Sequence, residues 1–284
     1  MRTACFSHFS KVVFLIGWCV VFMACQPQSS SSTPSQQVGA LRYARLLSIE
    51  HQDSLTLVSI KSPWRDGGVL QRYVLVPKTA PLPHNIPHGT LVRTPLQRTV
   101  MHNSVHAYLA VLLGQSGRVA GICDVDYIVN EELRRLVEDS LIYDAGLSVK
   151  FNIERNIKEG ADAVFASPLE DVSHAAMSIM GVPIIECADY MEPHPLGRAE
   201  WMKFFGLLLD CPEVADSLFS AVETAYLALR SEAQSHALKP RLMVDLEQAG
   251  TWYMPGGKSY LATLYKDAGA HYVLAENAGM GSVA

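Results

Sequence analysis

Near the start of the chain, three runs cluster β-branched and aliphatic residues: LLSIE, SLTLVSI and RYVLVP. The polar HQD and the turn-forming PWRDGG separate them. This pattern predicts a meander of three strands over residues 41–77. Pro77, Pro81, Pro83, Pro87 and Pro95 follow, and this proline spacing predicts an irregular connecting loop. From about Arg98 the period changes, and short apolar runs alternate with segments of helical spacing.

The expected order is a strand at 99–102, then a helix capped by Asn103 or Ser104. Its apolar residues Val105, Tyr108, Leu109 and Leu112 fall at i, i+3, i+4 and i+7, and Gly114 ends it. A strand at 118–123, a polar helix at 130–139 and a helix capped by Asn152 and closed by Gly160 come next. A buried strand at 163–166, a helix at 173–180 and a strand at 182–187 complete the series. Such βαβ alternation predicts an α/β lobe with a mostly parallel sheet. A long helical stretch follows, in which Trp201, Phe204, Phe205 and Leu208 share a face and Pro212 opens a second stripe running to about Ser235. After Lys239 and Pro240 the α/β style resumes with strands at 241–246 and 271–274 and a helix at 259–268. Two strands and one helix do not close a lobe, so the second lobe reads as incomplete at Ala284.

Composition narrows the classes. Hydrophobic residues are 49% of the 284, charged residues 18%, and the formal charge is −5. That excludes a disordered or coiled-coil chain and argues against nucleic acid as a partner. The first 24 residues carry only Arg2 and Lys11 as charges, around the apolar run VVFLIGWCVVFMA. Thirteen residues are too few for a membrane span of about 20 and suit the core of a secretory leader. The run stops at Phe22, Met23, Ala24 and Cys25, which resembles a bacterial lipoprotein cleavage box. Cys25 is therefore the expected lipidation site, and a multiply acylated cysteine holds a membrane more firmly than one chain does. Residues 25–40, QPQSSSSTPSQQ at their centre, read as a tether. Cys123, Cys187 and Cys211 show no CxxC spacing, so buried free thiols are expected, with one disulfide open as an alternative.

Four later stretches carry a family resemblance: PLQRTVMHNSVHAYLAVLLGQSGRVAGICD, FNIERNIKEGADAVFASP, ADYMEPHPLGRAEWMKFFGLLL and WYMPGGKSYLATLYKDAGAHYVL. Together, behind a lipoprotein leader, the chain resembles the substrate-binding lipoproteins of ABC importers for iron complexes, haem and cobalamin. The resemblance implies two α/β lobes joined by a long helix, with cargo held between them. The expected organisation is a signal peptide (1–24), a Ser-rich tether (25–40), a β-rich extension and loop (41–95), a first lobe (96–197), interlobe helices (198–236) and the start of a second lobe (237–284). It implies an extracytoplasmic, membrane-anchored, monomeric binding protein without enzymatic activity or resident cofactor. The partners implied are an iron chelate, haem or cobalamin and an ABC permease.

Open α/β sheets bind ligands beyond the carboxyl ends of their strands. That selects Ser104, His106, Tyr127, Tyr190, Trp252 and Tyr253 as candidate ligand-binding residues, the aromatics stacking on a planar cargo. It requires Tyr127 and Trp252 to face one crevice. His102 and His106 are four apart, which raises haem or zinc ligation, but a solvent-facing or locally hydrogen-bonded histidine is the plainer expectation for both. Arg198 is expected to pair with Glu192 or Glu200. The resemblance assigns permease docking to Glu170 or Asp171, against an ordinary role for either as an acid at a helix start. The rival class is an extracytoplasmic metal-binding or hydrolytic enzyme. The chain holds no GxSxG and no HExxH, and MPGGKSY matches only the tail of a phosphate loop.

Overall fold

The computed structural model describes residues 41–65, 67–170, 174 and 179–284. The leader, Cys25 and the tether lie outside the described residues. Among the described residues no helix is long and apolar enough to cross a membrane.

The first sheet holds β1 (Leu47–His51), β2 (Thr56–Lys61), β3 (Val69–Pro77) and β4 (Thr90–Thr94), in that order. β1, β2 and β3 form the antiparallel meander, and β4 adds in parallel to β3 with Tyr73 opposite Thr90. The loop expected across residues 77–95 therefore contains a strand. It falls in the proline-free stretch between Pro87 and Pro95, where every residue keeps the N–H that a ladder needs. Val58, Ile60 and Tyr73 from this sheet join the main core with Met101, Phe165 and Phe204. The Tyr73 hydroxyl donates to the Ile184 carbonyl (2.8 Å) and accepts from the Glu186 N–H (2.7 Å). One buried phenol thus ties β3 of the extension to β11 (Ile184–Glu186).

The second sheet is all parallel, in the order β11-β10-β5-β6-β7: Ile184–Glu186, Ala163–Ala166, Thr99–Met101, Val119–Ile122 and Tyr143–Asp144. Every residue of β5, β6 and β10 is buried, as near-continuous apolar runs require when helices or another layer cover both faces. β8 (Gly146–Leu147) and β9 (Lys150–Phe151) form a small hairpin beside β7.

The first helix, α1 (Ser104–Leu112), is capped by Asn103, whose side-chain oxygen accepts from the His106 N–H. Its expected face is reversed. α1 buries His106, Ala107 and Ala110, while Val105 is 57% exposed and Tyr108 and Leu112 face solvent. Both faces of this helix are apolar, so spacing alone does not choose between them; the alanines let the helix axis approach the sheet. α2 (Glu131–Glu138), expected from residue 130, is capped by Asn130, and α3 (Ile153–Lys158) is capped by Asn152 as expected. The helix expected at 173–180 falls largely outside the described residues.

α4 (Pro195–Glu200), α5 (Met202–Leu209) and α6 (Pro212–Ser235) form the helical stretch. Trp201, Phe204, Phe205 and Leu208 are buried together, and Pro212 occupies the first turn of α6. Beyond it, β12 (Arg241–Leu242) pairs in parallel with β16 (His271–Tyr272). Two further pairs are β13 (Glu247–Gln248) with β14 (Thr251–Trp252), and β15 (Met254–Pro255) with β17 (Ser282–Val283). α7 (Tyr260–Asp267) is capped by Ser259 and lies against α6, where Tyr226 donates to Asp267 at 2.8 Å.

Cys123, Cys187 and Cys211 are free and buried, and burial pushes the Cys123 thiol up to about 12.

Candidate functional site

In the parallel sheet the chain starts at β5, proceeds to β6 and β7 on one side, then crosses back to β10 and β11 on the other. The strand order reverses between β5 and β10, and in open α/β sheets such a switch point, beyond the carboxyl ends of the strands, is where ligands bind. The residues standing there are His102, Asn103 and Ser104 after β5, and Ser167 and Pro168 after β10. Asn103 joins the two edges: its amide donates to the Ser167 hydroxyl at 2.9 Å, while its carbonyl caps α1.

His102 is the electrostatically unusual member. Its Nε2 is buried and has no hydrogen-bond partner among the described residues. Its ring meets Phe151 and His174 edge-on, with centroids 5.8 and 5.7 Å away. His174 Nδ1 lies 3.0 Å from the Glu186 carboxylate, at the end of β11. Burial, and then the neighbouring His174, hold the His102 imidazole below its ordinary value.

On the β6 side, Asp124 turns in the left-handed region (φ +54°) and accepts from the Ser148 N–H at 3.1 Å. This fastens the β8–β9 hairpin next to His102. Tyr127 stands nearby in chain order on a short 3₁₀ turn and is 78% exposed. Tyr190 is more committed: its hydroxyl donates to the Pro168 carbonyl, and burial, then Asp189, raise its pKa.

Ser104, Tyr127 and Tyr190 thus share the carboxyl edge of one sheet. His106 does not offer itself there. It is buried under α1, with Nε2 3.0 Å from Asp189 and its ring against Phe205, because the helix faces the opposite way from its apolar spacing. Trp252 and Tyr253 sit exposed on and beside the β13–β14 hairpin, where the Trp252 indole donates to the Val244 carbonyl at 2.9 Å. Among the described residues no hydrogen bond or ring contact joins them to the first group. Glu170 is exposed in the loop after β10; Asp171 lies outside the described residues. Arg198 pairs with Asp189 (3.6 Å) and lies over the Tyr260 ring, instead of meeting Glu192 or Glu200. Both glutamates are taken by backbone N–H groups of residues 42–46.

The glycines of the phosphate-loop look-alike have another use. A Cβ on Gly257 would stand 2.4 Å from the Ala275 carbonyl oxygen, so they admit a neighbouring backbone. A cavity of about 740 Å³ opens nearby, lined among others by Arg45, His194, Lys258, Lys266 and His271, and by none of the residues following β5 and β10. Among the described residues no group of three or more His, Cys, Asp or Glu is placed to hold a metal ion. The Asn103–Ser167 link and the His174–Glu186 pair were invisible in the spacing; only the rule that sites follow parallel strands points to Asn103 and Ser167.

Solved structures share this architecture. A possible iron-binding, periplasmic solute-binding protein from Staphylococcus epidermidis superposes with a TM-score of 0.54 at 16% identity, covering 67% of this chain and 72% of its own. The fold is that of the periplasmic solute-binding proteins. The periplasmic haem-binding protein HutB of Vibrio cholerae (TM-score 0.52, 14% identity, 66% and 69% covered) has the same solute-binding fold. So does IsdE of Staphylococcus aureus, solved with haem (0.51, 14%, 66% and 69%). These similarities establish the fold. In sequence, an uncharacterized lipoprotein of Methanocaldococcus jannaschii is 24% identical over 268 residues, 86% of this chain and 66% of the relative. A second lipoprotein from that organism is 24% identical over 184 residues, 61% and 43%. The chain spans less than two thirds of either relative. No protein-family model matches it.

Proposed function

We propose that the protein is an extracytoplasmic solute-binding lipoprotein. It captures an iron complex (a ferric siderophore or haem) or cobalamin and delivers it to an ABC importer. The observation that carries this reading is the reversal of strand order at β5/β10, in a solute-binding fold, with a buried imidazole nitrogen beside it that has no hydrogen-bond partner among the described residues. A buried polar atom without a partner marks a place where a further group is accommodated. Ser104 and Tyr127 on the rim, with Tyr190 beside them, would contact the cargo, and Trp252 and Tyr253 would close on it from the second lobe. Cys25 is the lipidated residue in this reading, and Glu170 with Asp171 faces the permease.

The test is a titration of the full-length protein with haemin, cobalamin and ferric chelates, read by absorbance and calorimetry. One of them binds tightly, and His102→Ala weakens that binding at least about tenfold, a 1.4 kcal/mol loss. Tight binding of none, with a small sugar or amino acid bound instead, rejects the cargo class. For docking, Glu170→Ala lowers uptake in cells and leaves cargo affinity unchanged; normal uptake removes that role.

A further inference from the structure

Five consecutive backbone N–H groups, from Arg42 to Leu46, point at two carboxylates. Glu200 accepts from Arg42 (2.8 Å), Tyr43 (2.7 Å) and Ala44 (2.8 Å). Glu192 accepts from Arg45 (2.9 Å) and Leu46 (2.9 Å), and also from the Trp201 indole (3.0 Å). Glu200 is 0% and Glu192 1% exposed. Buried carboxylates are costly unless hydrogen bonds surround them, and here one short stretch of chain supplies nearly all of those bonds.

Side chains reinforce the grip. Glu223 of α6 pairs with the Arg42 guanidinium and accepts from the Tyr43 hydroxyl. The Tyr43 ring stacks on His194, with centroids 5.6 Å apart and planes at 25°. Gly197 of α4 leaves the necessary room: a Cβ there would stand 2.9 Å from the Tyr43 carbonyl oxygen. The residues His194, Gly197, Glu200 and Trp201 of the HPLGRAEW stretch are therefore a seat for residues 42–46.

We propose that residues 42–46 are the mount on which the protein hangs from its anchor. Pull arriving from the segment before Leu41 is taken by α4 and α6, the helices between the lobes, before it reaches β1. The same grip shields the connection from proteases. Between Cys25 and Leu47 the only basic residues are Arg42 and Arg45, and both lie inside the mount. A protease that cuts after arginine must pull this stretch off its seat before it can cut, so cleavage follows the population of the released form. The role of an anchor mount rests on the reading of Cys25 as lipidated; the seat itself does not.

The experiment is limited trypsinolysis of washed membranes carrying the full chain, with the released material analysed by mass spectrometry. The wild-type body stays with the membrane. In Glu192→Gln/Glu200→Gln, and separately in Gly197→Ala, a folded body beginning at Tyr43 or Leu46 is released at least about tenfold faster. Glu223→Gln, which touches only side-chain contacts, accelerates cutting after Arg42 alone, and it carries the test if the double variant does not fold. Equal cleavage rates in wild type, Gly197→Ala and Glu223→Gln overturn the mount. If the chain is found in the soluble fraction before trypsin is added, the anchor reading fails. The same cleavages read on the soluble protein then decide the mount independently.

Discussion

The parallel sheet of the first lobe and the strand pairs beyond α6 come from sequence of the same style, yet they fold differently. VAGI and AVFA form strands in which every residue is buried. RLMVDL, with four apolar residues between and beside Arg241 and Asp245, pairs only at Arg241 and Leu242, leaving Met243 exposed and Leu246 78% exposed. The reason is the non-local nature of β structure. A strand satisfies its backbone and hides its side chains only through neighbours on either side. β5 has β6 and β10 beside it and helices or the extension sheet above and below, whereas among the described residues β12 pairs with β16 alone. Stability should therefore be concentrated in the first region.

The sharpest test is a matched pair of truncations read by urea unfolding. Phe165→Ala, in β10 and 5.0 Å from Phe205 between ring centroids, should cost about 3–5 kcal/mol. Leu246→Ala should stay within about 0.5 kcal/mol. Comparable costs would erase the contrast. A smaller effect concerns the edge of the first sheet. Asn103→Ala removes both the α1 cap and the link to Ser167, and should cost about 1 kcal/mol. Asn103→Ser should recover much of the cap and lose the link. Unchanged stability in Asn103→Ala would show that the two edges are held by packing alone.

The smallest effect is a pH dependence. His102 faces His174, Asp124 and Glu186, and burial lowers its pKa. His194 faces Asp267, Arg230 and Arg45 and is also lowered chiefly by burial. In both cases the unfolded chain takes up the proton at a higher pH than the native state does. Stability is then full above about 6.5, the ordinary histidine value, and falls as the pH drops through the lowered native values. His194 adds a structural consequence, because its Nδ1 accepts from the Leu196 N–H at the start of α4 and protonation removes that acceptor. A denaturation midpoint flat between pH 7 and pH 5 would contradict this. His102→Gln should flatten the curve in the first lobe, and His194→Gln at the lobe junction.

Much of this was legible locally. Asn130 and Asn152 at helix starts, Pro212 in a first turn and the Trp201–Leu208 face are set by contacts within a few residues, where capping and 3.6-residue spacing act. The alternation of β and α over 98–187 likewise announced a parallel sheet and pointed to strand ends for the candidate site. Elements that answer to distant partners were not legible. β4 formed within a proline-rich stretch because β3 offered an edge. α1 turned its alanines inward because the sheet demanded close approach. His106 followed that rotation into the core and met Asp189, 83 positions away. Glu192 and Glu200 look like ordinary surface acids near an arginine, yet they are closed around a segment about 150 positions upstream. Short-range hydrogen bonds and periodicity are written in consecutive residues. The choice of face, of edge and of buried charge partner depends on which surfaces come together, and those are known only once the chain is folded.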